Sequence, residues 1–201
     1  GLDYNFWNPK NFKNIRKQLN LETKFIYFAW GRPGPSKGFE YLLKAVPLIS
    51  KKIPNSILLL MLGNPEKYPK QHKTLKSLIK RINPENICLL PSVPYEQLGN
   101  YIKTADCVVV PSIAEGFGYT TVETAAIGTP LVVSNIDSLP EVVSGKFNLF
   151  EPKNPKDLAT QVYKTYQQKW QTKTKKFLWE ATINQYEKFI DEKIKSLKLK
   201  N

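Results

Sequence analysis

Apolar positions along the chain fall into short runs separated by amphipathic stretches. Residues 25–30 read Phe-Ile-Tyr-Phe-Ala-Trp, an aromatic and branched run of buried-strand type. Residues 56–62, 86–90, 106–110, 131–134 and 147–150 have the same character. Between the first two runs, Phe39, Leu42, Leu43, Val46 and Ile49 recur at helical spacing up to Lys51 and Lys52. Further helices are predicted over 71–82, 95–104, 121–127, 139–144 and 156–168. Strands that are apolar on nearly every residue must be covered on both faces, and strands alternating with helices make a parallel sheet. The expected fold is α/β, a single doubly wound (Rossmann-like) parallel sheet of about six strands.

Residues 1–21 carry Trp7, Pro9 and Asn/Lys clusters with little periodicity, so they read as a lead-in with a short helix around 11–19. The doubly wound domain occupies 22–170. A helical tail follows over 171–201, whose apolar positions Tyr186, Phe189, Ile190, Ile194 and Leu197 are expected to pack onto a domain or, in a longer parent chain, to cross back to a further half of it.

With 201 residues the chain is long enough for one substantial α/β domain and too short for two full nucleotide-binding domains. It starts at Gly1 and its single methionine is Met61, so it reads as a processed product, an engineered piece, or part of something longer. No apolar run reaches the length of a membrane span, which leads to the expectation of a soluble, cytoplasmic chain. Cys88 and Cys107 lie in apolar runs and are expected as small core residues in a reducing compartment. The formal charge of +13 comes from 30 Lys+Arg against 17 Asp+Glu and is almost all lysine. Lysine-rich surfaces are most often solvated faces, and no RNA-binding signature or zinc spacing organises this one, so nucleic acid is disfavoured as a partner. Peripheral contact with the anionic inner face of a membrane stays open.

Chemistry concentrates in two glycine-bearing loops. The first, residues 31–38, follows the first strand and reads Gly-Arg-Pro-Gly-Pro-Ser-Lys-Gly. Arg32 offers a planar fork and Lys37 a point charge, a pair suited to a diphosphate. The loop lacks a Walker A ending and the dinucleotide fingerprint. The second loop, Glu115-Gly116-Phe117-Gly118, lies between the strand ending at Val110 and an alanine-rich helix. Its glycines permit close backbone approach, and the helix start offers free N–H groups to an anion. Glu115 and Glu123 bracket that start; carboxylates suit hydroxyl donors, so phosphate donors and polyol acceptors one turn apart describe a sugar nucleotide. If the strand order is 3-2-1-4-5-6, the two loops face each other at the point where the order reverses.

These residues resemble a known family. Gly31-Arg32 with Lys37-Gly38, Ala105-Asp106 before an apolar strand, Pro111-Ser112, the glutamate pair Glu115 and Glu123, and Gly128-Thr129-Pro130 look like the donor-binding half of a family-4 retaining glycosyltransferase of GT-B fold. The likeness covers roughly residues 25–195. It implies that Gly31, Arg32 and Lys37 hold the diphosphate and assist the departing nucleoside diphosphate without a metal. Glu115 with the backbone of Gly116, Phe117 and Gly118 would bind sugar hydroxyls. Glu123 would accept the ribose hydroxyls, the amides at Tyr119 and Thr120 would face phosphate, and the turn through Leu90, Ser92 and Val93 would contact the base. Arg32, Lys37 and Glu115 are the implied catalytic residues, with no cofactor and a UDP-, GDP- or ADP-sugar as substrate. His72, in a polar helix start, is expected at the surface.

Two departures from the family stand out: Ser92 replaces a common glycine, and the turn over residues 144–148 is shortened. The family's acceptor site belongs to an amino-terminal domain, and Gly1-Leu2-Asp3 resembles the linker after it. The chain alone is therefore expected to bind donor and transfer little sugar. Two other readings stay open: a GT-B sugar-nucleotide epimerase, and a non-catalytic basic module that docks to membrane or nucleic acid.

Overall fold

The computed structural model describes residues 1–82 and 84–198. Seven strands among them form one sheet in the order β3-β2-β1-β4-β5-β6-β7. They are β1 (Phe25–Gly31), β2 (Ser56–Leu62), β3 (Ile87–Leu90), β4 (Cys107–Val110), β5 (Leu131–Ser134), β6 (Gly145–Phe150) and β7 (Gln171–Lys173). All neighbours pair in parallel except β6 and β7, which run antiparallel. The helices are α1 (Phe39–Lys52), α2 (Pro69–Ile82), α3 (Tyr95–Thr104), α4 (Tyr119–Ile127), α5 (Leu139–Val142), α6 (Pro155–Tyr166) and α7 (Trp179–Lys198).

The two-residue period of a strand sends alternate side chains to opposite faces, and both faces here are apolar. On one, Tyr27, Ala29, Leu58, Leu60, Val109 and Val132 meet Leu42, Leu43, Val46 and Ile49 of α1 and Leu158 and Val162 of α6. On the other, Ile26, Phe28, Leu59, Met61, Val108 and Val133 meet Leu98 and Ile102 of α3 and Val122 and Ile127 of α4. Continuous burial along β1, β2 and β4 is therefore a consequence of helices on both sides. Cys107 is one of these core residues, and Cys88 is half-buried; burial raises both thiols above their ordinary range.

Several expectations are corrected. The sheet has a seventh strand that the hydrophobic pattern could not show, because Gln171, Thr172 and Lys173 are polar and exposed. The segment 11–19 is not a helix; a 3-10 turn at Pro9–Asn11 and further turns take its place. Trp7 (2% exposed), Leu2 and Phe12 are nonetheless buried against the α3 and α4 face. Gly99 of α3 makes room for the Phe12 ring, since a Cβ there would collide with it. The lead-in also meets the start of the tail: Leu2 donates its N–H to the Phe177 carbonyl (2.8 Å), and the Phe177 N–H donates to the Tyr4 hydroxyl (2.9 Å).

Beyond that junction the tail does not pack as expected. Tyr186 is 66% exposed, Phe189 56%, Ile190 52% and Ile194 46%; Leu197 lies outside the residues whose side chains are described. No helix among the described residues is long and apolar enough to cross a membrane.

Candidate functional site

The sheet order puts β1 beside β4, and the loops leaving their carboxyl ends touch. The Ser36 carbonyl accepts hydrogen bonds from the N–H groups of Ile113 (2.7 Å) and Ala114 (3.4 Å). Gly38 closes the first loop in the left-handed region (φ 62°), and a Cβ there would collide with the Pro111 carbonyl oxygen of the second. Glycine is required for both reasons.

This contact delivers Lys37, at the end of a 3-10 turn (Pro35–Lys37), to Glu115. Lys37 Nζ lies 2.6 Å from Glu115 Oε2, with the two side chains 21% and 16% exposed. The Ser112 hydroxyl donates to the same oxygen at 3.2 Å. From the other side, the Glu115 N–H donates to Asp137 Oδ2 (2.9 Å), and Ser138 Oγ donates to the carbonyls of Glu115 (3.1 Å) and Phe117 (3.2 Å). The Glu115–Gly118 loop is thus held from the loop after β5 as well as from the loop after β1. Gly118 then starts α4 at φ 92° without a side-chain cap, which leaves the amino end of that helix available to an anion. Lys37, Ser112 and Thr120 line one small recess with Trp30.

Glu123 sits one turn into α4, 6% exposed. Its Oε1 accepts the Tyr95 hydroxyl at 2.8 Å. Burial raises the Glu123 carboxyl above the ordinary carboxylate range, and the Tyr95 bond opposes that. The Tyr95 phenol is itself pushed up to about 12, first by burial and then by the bond to Glu123, so it remains a donor throughout the neutral range. Beside this pair is a cavity of about 190 Å³ lined by Trp30, Gly31, Met61, Ser92, Val93 and Tyr95. A second, of about 420 Å³, takes in Leu90, Ser92 and His72 on the far side of the same turn. The Ser92 hydroxyl donates to the Leu62 carbonyl (2.9 Å), which ties the turn after β3 to the end of β2.

Arg32 is exposed and makes no hydrogen bond or ion pair with a described residue. The other arginines are engaged. Arg16 bridges Asp106 at 2.8 Å and reaches the carbonyls of Lys24 and Thr104, while Arg81 Nε donates to the Ser77 carbonyl. Asp106 also accepts the Ile26 N–H (2.7 Å), so the Ala-Asp pair before β4 stitches that strand to β1. His72 is not at the surface: it is 7% exposed, with Nε2 on the Gly63 carbonyl. The start of α2 is polar in sequence, but its first turn folds back on the loop after β2. Among the described residues no group of three or more His, Cys, Asp or Glu could hold a metal ion.

Sequence reasoning passed over Tyr95, Asp137 and Ser138. Asp137 and Ser138 follow the strand next to β4, and Tyr95 opens the helix after the turn at residues 90–93. Position just beyond the carboxyl end of a parallel strand was the available signal.

Comparison with known proteins agrees with this architecture. The family described as Glycosyl transferases group 1 matches residues 11–182. Over 170 residues the chain is 31% identical to an uncharacterized glycosyltransferase of Methanocaldococcus jannaschii, covering 78% of this chain and 42% of that protein. It is 33% identical over 147 residues to the D-inositol 3-phosphate glycosyltransferase of Mycolicibacterium smegmatis, covering 72% and 33%. Among solved structures, the sucrose-phosphate synthase of Thermosynechococcus elongatus superposes with a TM-score of 0.73 at 25% identity, over 94% of this chain and 51% of that one. Anabaena HepE in complex with UDP and glucose gives a TM-score of 0.71 at 24% identity, over 82% and 45%, a likeness of fold. The chain spans less than half the length of these curated relatives. Matched along most of its own length by one family and more than 30% identical to glycosyltransferases over more than two thirds of its residues, this chain belongs to the group 1 glycosyl transferases.

Proposed function

We propose that the chain is the donor-binding half of a retaining, family-4 type glycosyltransferase and that it grips a nucleoside diphosphate sugar at the carboxyl ends of β1 and β4. The observation that carries this is the meeting of Lys37 and Glu115, from loops 78 residues apart, beside the open start of α4. An ammonium has three donors, so Lys37 can hold Glu115 and still reach a phosphate oxygen. Arg32 has no hydrogen-bond or ion-pair partner among the described residues and supplies a bidentate fork to the same diphosphate. Glu115 and the Gly116–Gly118 backbone take sugar hydroxyls, Glu123 takes ribose, and Leu90, Ser92 and Val93 border the base.

In the transfer, the bond between the anomeric carbon and the diphosphate oxygen breaks while charge builds on the phosphate, where Arg32, Lys37 and the α4 amides stabilise it. An acceptor hydroxyl bonds to the anomeric carbon on the same face, and its proton passes to the departing phosphate oxygen. The cationic pair does the work for which other transferases use a divalent ion. The acceptor comes from the part of the enzyme that this chain does not include, so the chain alone binds donor and transfers little.

Calorimetry with UDP, GDP, ADP and their hexose conjugates tests the proposal. One base series binds, and Arg32→Ala and Lys37→Ala each weaken it by about 10–100-fold, the scale of one charge-assisted contact. Affinity unchanged in both variants would overturn the site.

A further inference from the structure

Tyr95 stands outside the machinery just described, yet it is the side chain that fixes Glu123. The residue is 52% exposed, but its ring is not loose. It stacks on Phe6, with centroids 5.6 Å apart and planes 2° from parallel, and meets the Trp7 ring edge-on at 5.3 Å and 86°. Its hydroxyl donates to Glu123 Oε1 at 2.8 Å.

A carboxylate has roughly four lone-pair sites, and with the phenol bond its one hydrogen bond among the described residues, Oε2 and the rest of Oε1 are left for a ligand. A neutral donor also holds the carboxylate without cancelling its charge, unlike a lysine or arginine in the same place. The ring that carries this donor is clamped by two aromatics from the first twelve residues, and Trp7 is itself fully packed.

We propose that Tyr95 is a positioning residue for nucleoside recognition: it sets the rotation of the Glu123 carboxylate so that the free lone pairs face the vicinal ribose hydroxyls, and Phe6 and Trp7 hold it there. The inference rests on the reading of the chain as a nucleotide-sugar binder. It gives the amino-terminal segment a direct route into the site through one side chain. Loss of the hydroxyl lets the buried carboxylate rotate, and the loss is felt only by ligands that have a ribose diol to offer.

Calorimetry with UDP, GDP and ADP, each beside its 2′,3′-dideoxy analogue, tests this. For the nucleotide that binds, Tyr95→Phe weakens affinity about tenfold while the dideoxy analogue changes less than about twofold. In a Glu123→Gln background Tyr95→Phe has no further effect. Phe6→Ala, which keeps the hydroxyl but frees the ring, shows a smaller loss with the same selectivity. An equal loss for diol and dideoxy ligands, or none for either, overturns the inference while leaving the donor site standing. A wild-type chain that binds none of the nucleotides overturns the donor reading, and this inference with it.

Discussion

Gly38→Ala probes whether the two loops form one unit. Gly38 sits at φ 62°, a region that costs an L-residue about 1–2 kcal/mol. A Cβ at that position also meets a backbone atom, the Pro111 carbonyl oxygen, and lies 3.3 Å from Ile113 Cγ2. A backbone neighbour has little room to yield, so overpacking adds about 1–3 kcal/mol. Together these give a loss of about 2–5 kcal/mol, or roughly 4–20 °C in melting temperature for a chain of this size. Relief by separating the loops would break the Ile113 to Ser36 bond and pull Lys37 from Glu115, so nucleotide affinity falls as well. Gly34, in the same loop, is the control: its φ is −71° and a Cβ there meets nothing within 4 Å. Gly34→Ala should be neutral or gain about 0.4–1 kcal/mol through the unfolded chain. Thermal unfolding followed by circular dichroism, with calorimetry on each variant, reads both effects. Equal melting temperatures for the two variants would refute the argument that loop contact fixes the site.

Glu123→Gln should raise the melting temperature near neutral pH while weakening nucleotide binding. A carboxyl whose folded pKa stands above its unfolded value binds more protons in the native state between the two, so its stability contribution falls as pH rises through that interval and stays reduced above it. The gain from Glu123→Gln therefore vanishes below about pH 4, and a gain that persists there would contradict the assignment to burial. Trp7→Ala should cost about 3–5 kcal/mol in urea unfolding, because the indole is fully packed; a cost below about 1 kcal/mol would make the first residues a detachable strap. Ending the chain after Lys188 removes Phe189, Ile190 and Ile194, all about half exposed, so the melting temperature should move by less than about 2 °C. A drop above about 5 °C would show that these side chains stabilise the domain.

The parallel sheet was legible because its strands are apolar on both faces and its helices are amphipathic, patterns local enough to survive in one dimension. The glycine loops were legible for the same reason: Gly31, Gly38, Gly116 and Gly118 follow buried strands, where a chain must turn and a ligand can approach. Composition and spacing alone carried the α/β class, the central strands and the identity of Lys37, Glu115 and Glu123 as site candidates. They could not show β7, whose pairing with β6 depends on backbone hydrogen bonds that any polar triplet can make. They also assigned His72 to the surface and the tail stripe to the core, since burial of a helix face depends on what lies opposite it. Strand order, the touch of Gly38 on Pro111, the Lys37–Glu115 pair and the placing of Tyr95 under Phe6 and Trp7 all join residues far apart in the chain. Such pairings are fixed by packing and by the direction of sheet hydrogen bonds, which local pattern does not encode; only the tertiary structure decided them.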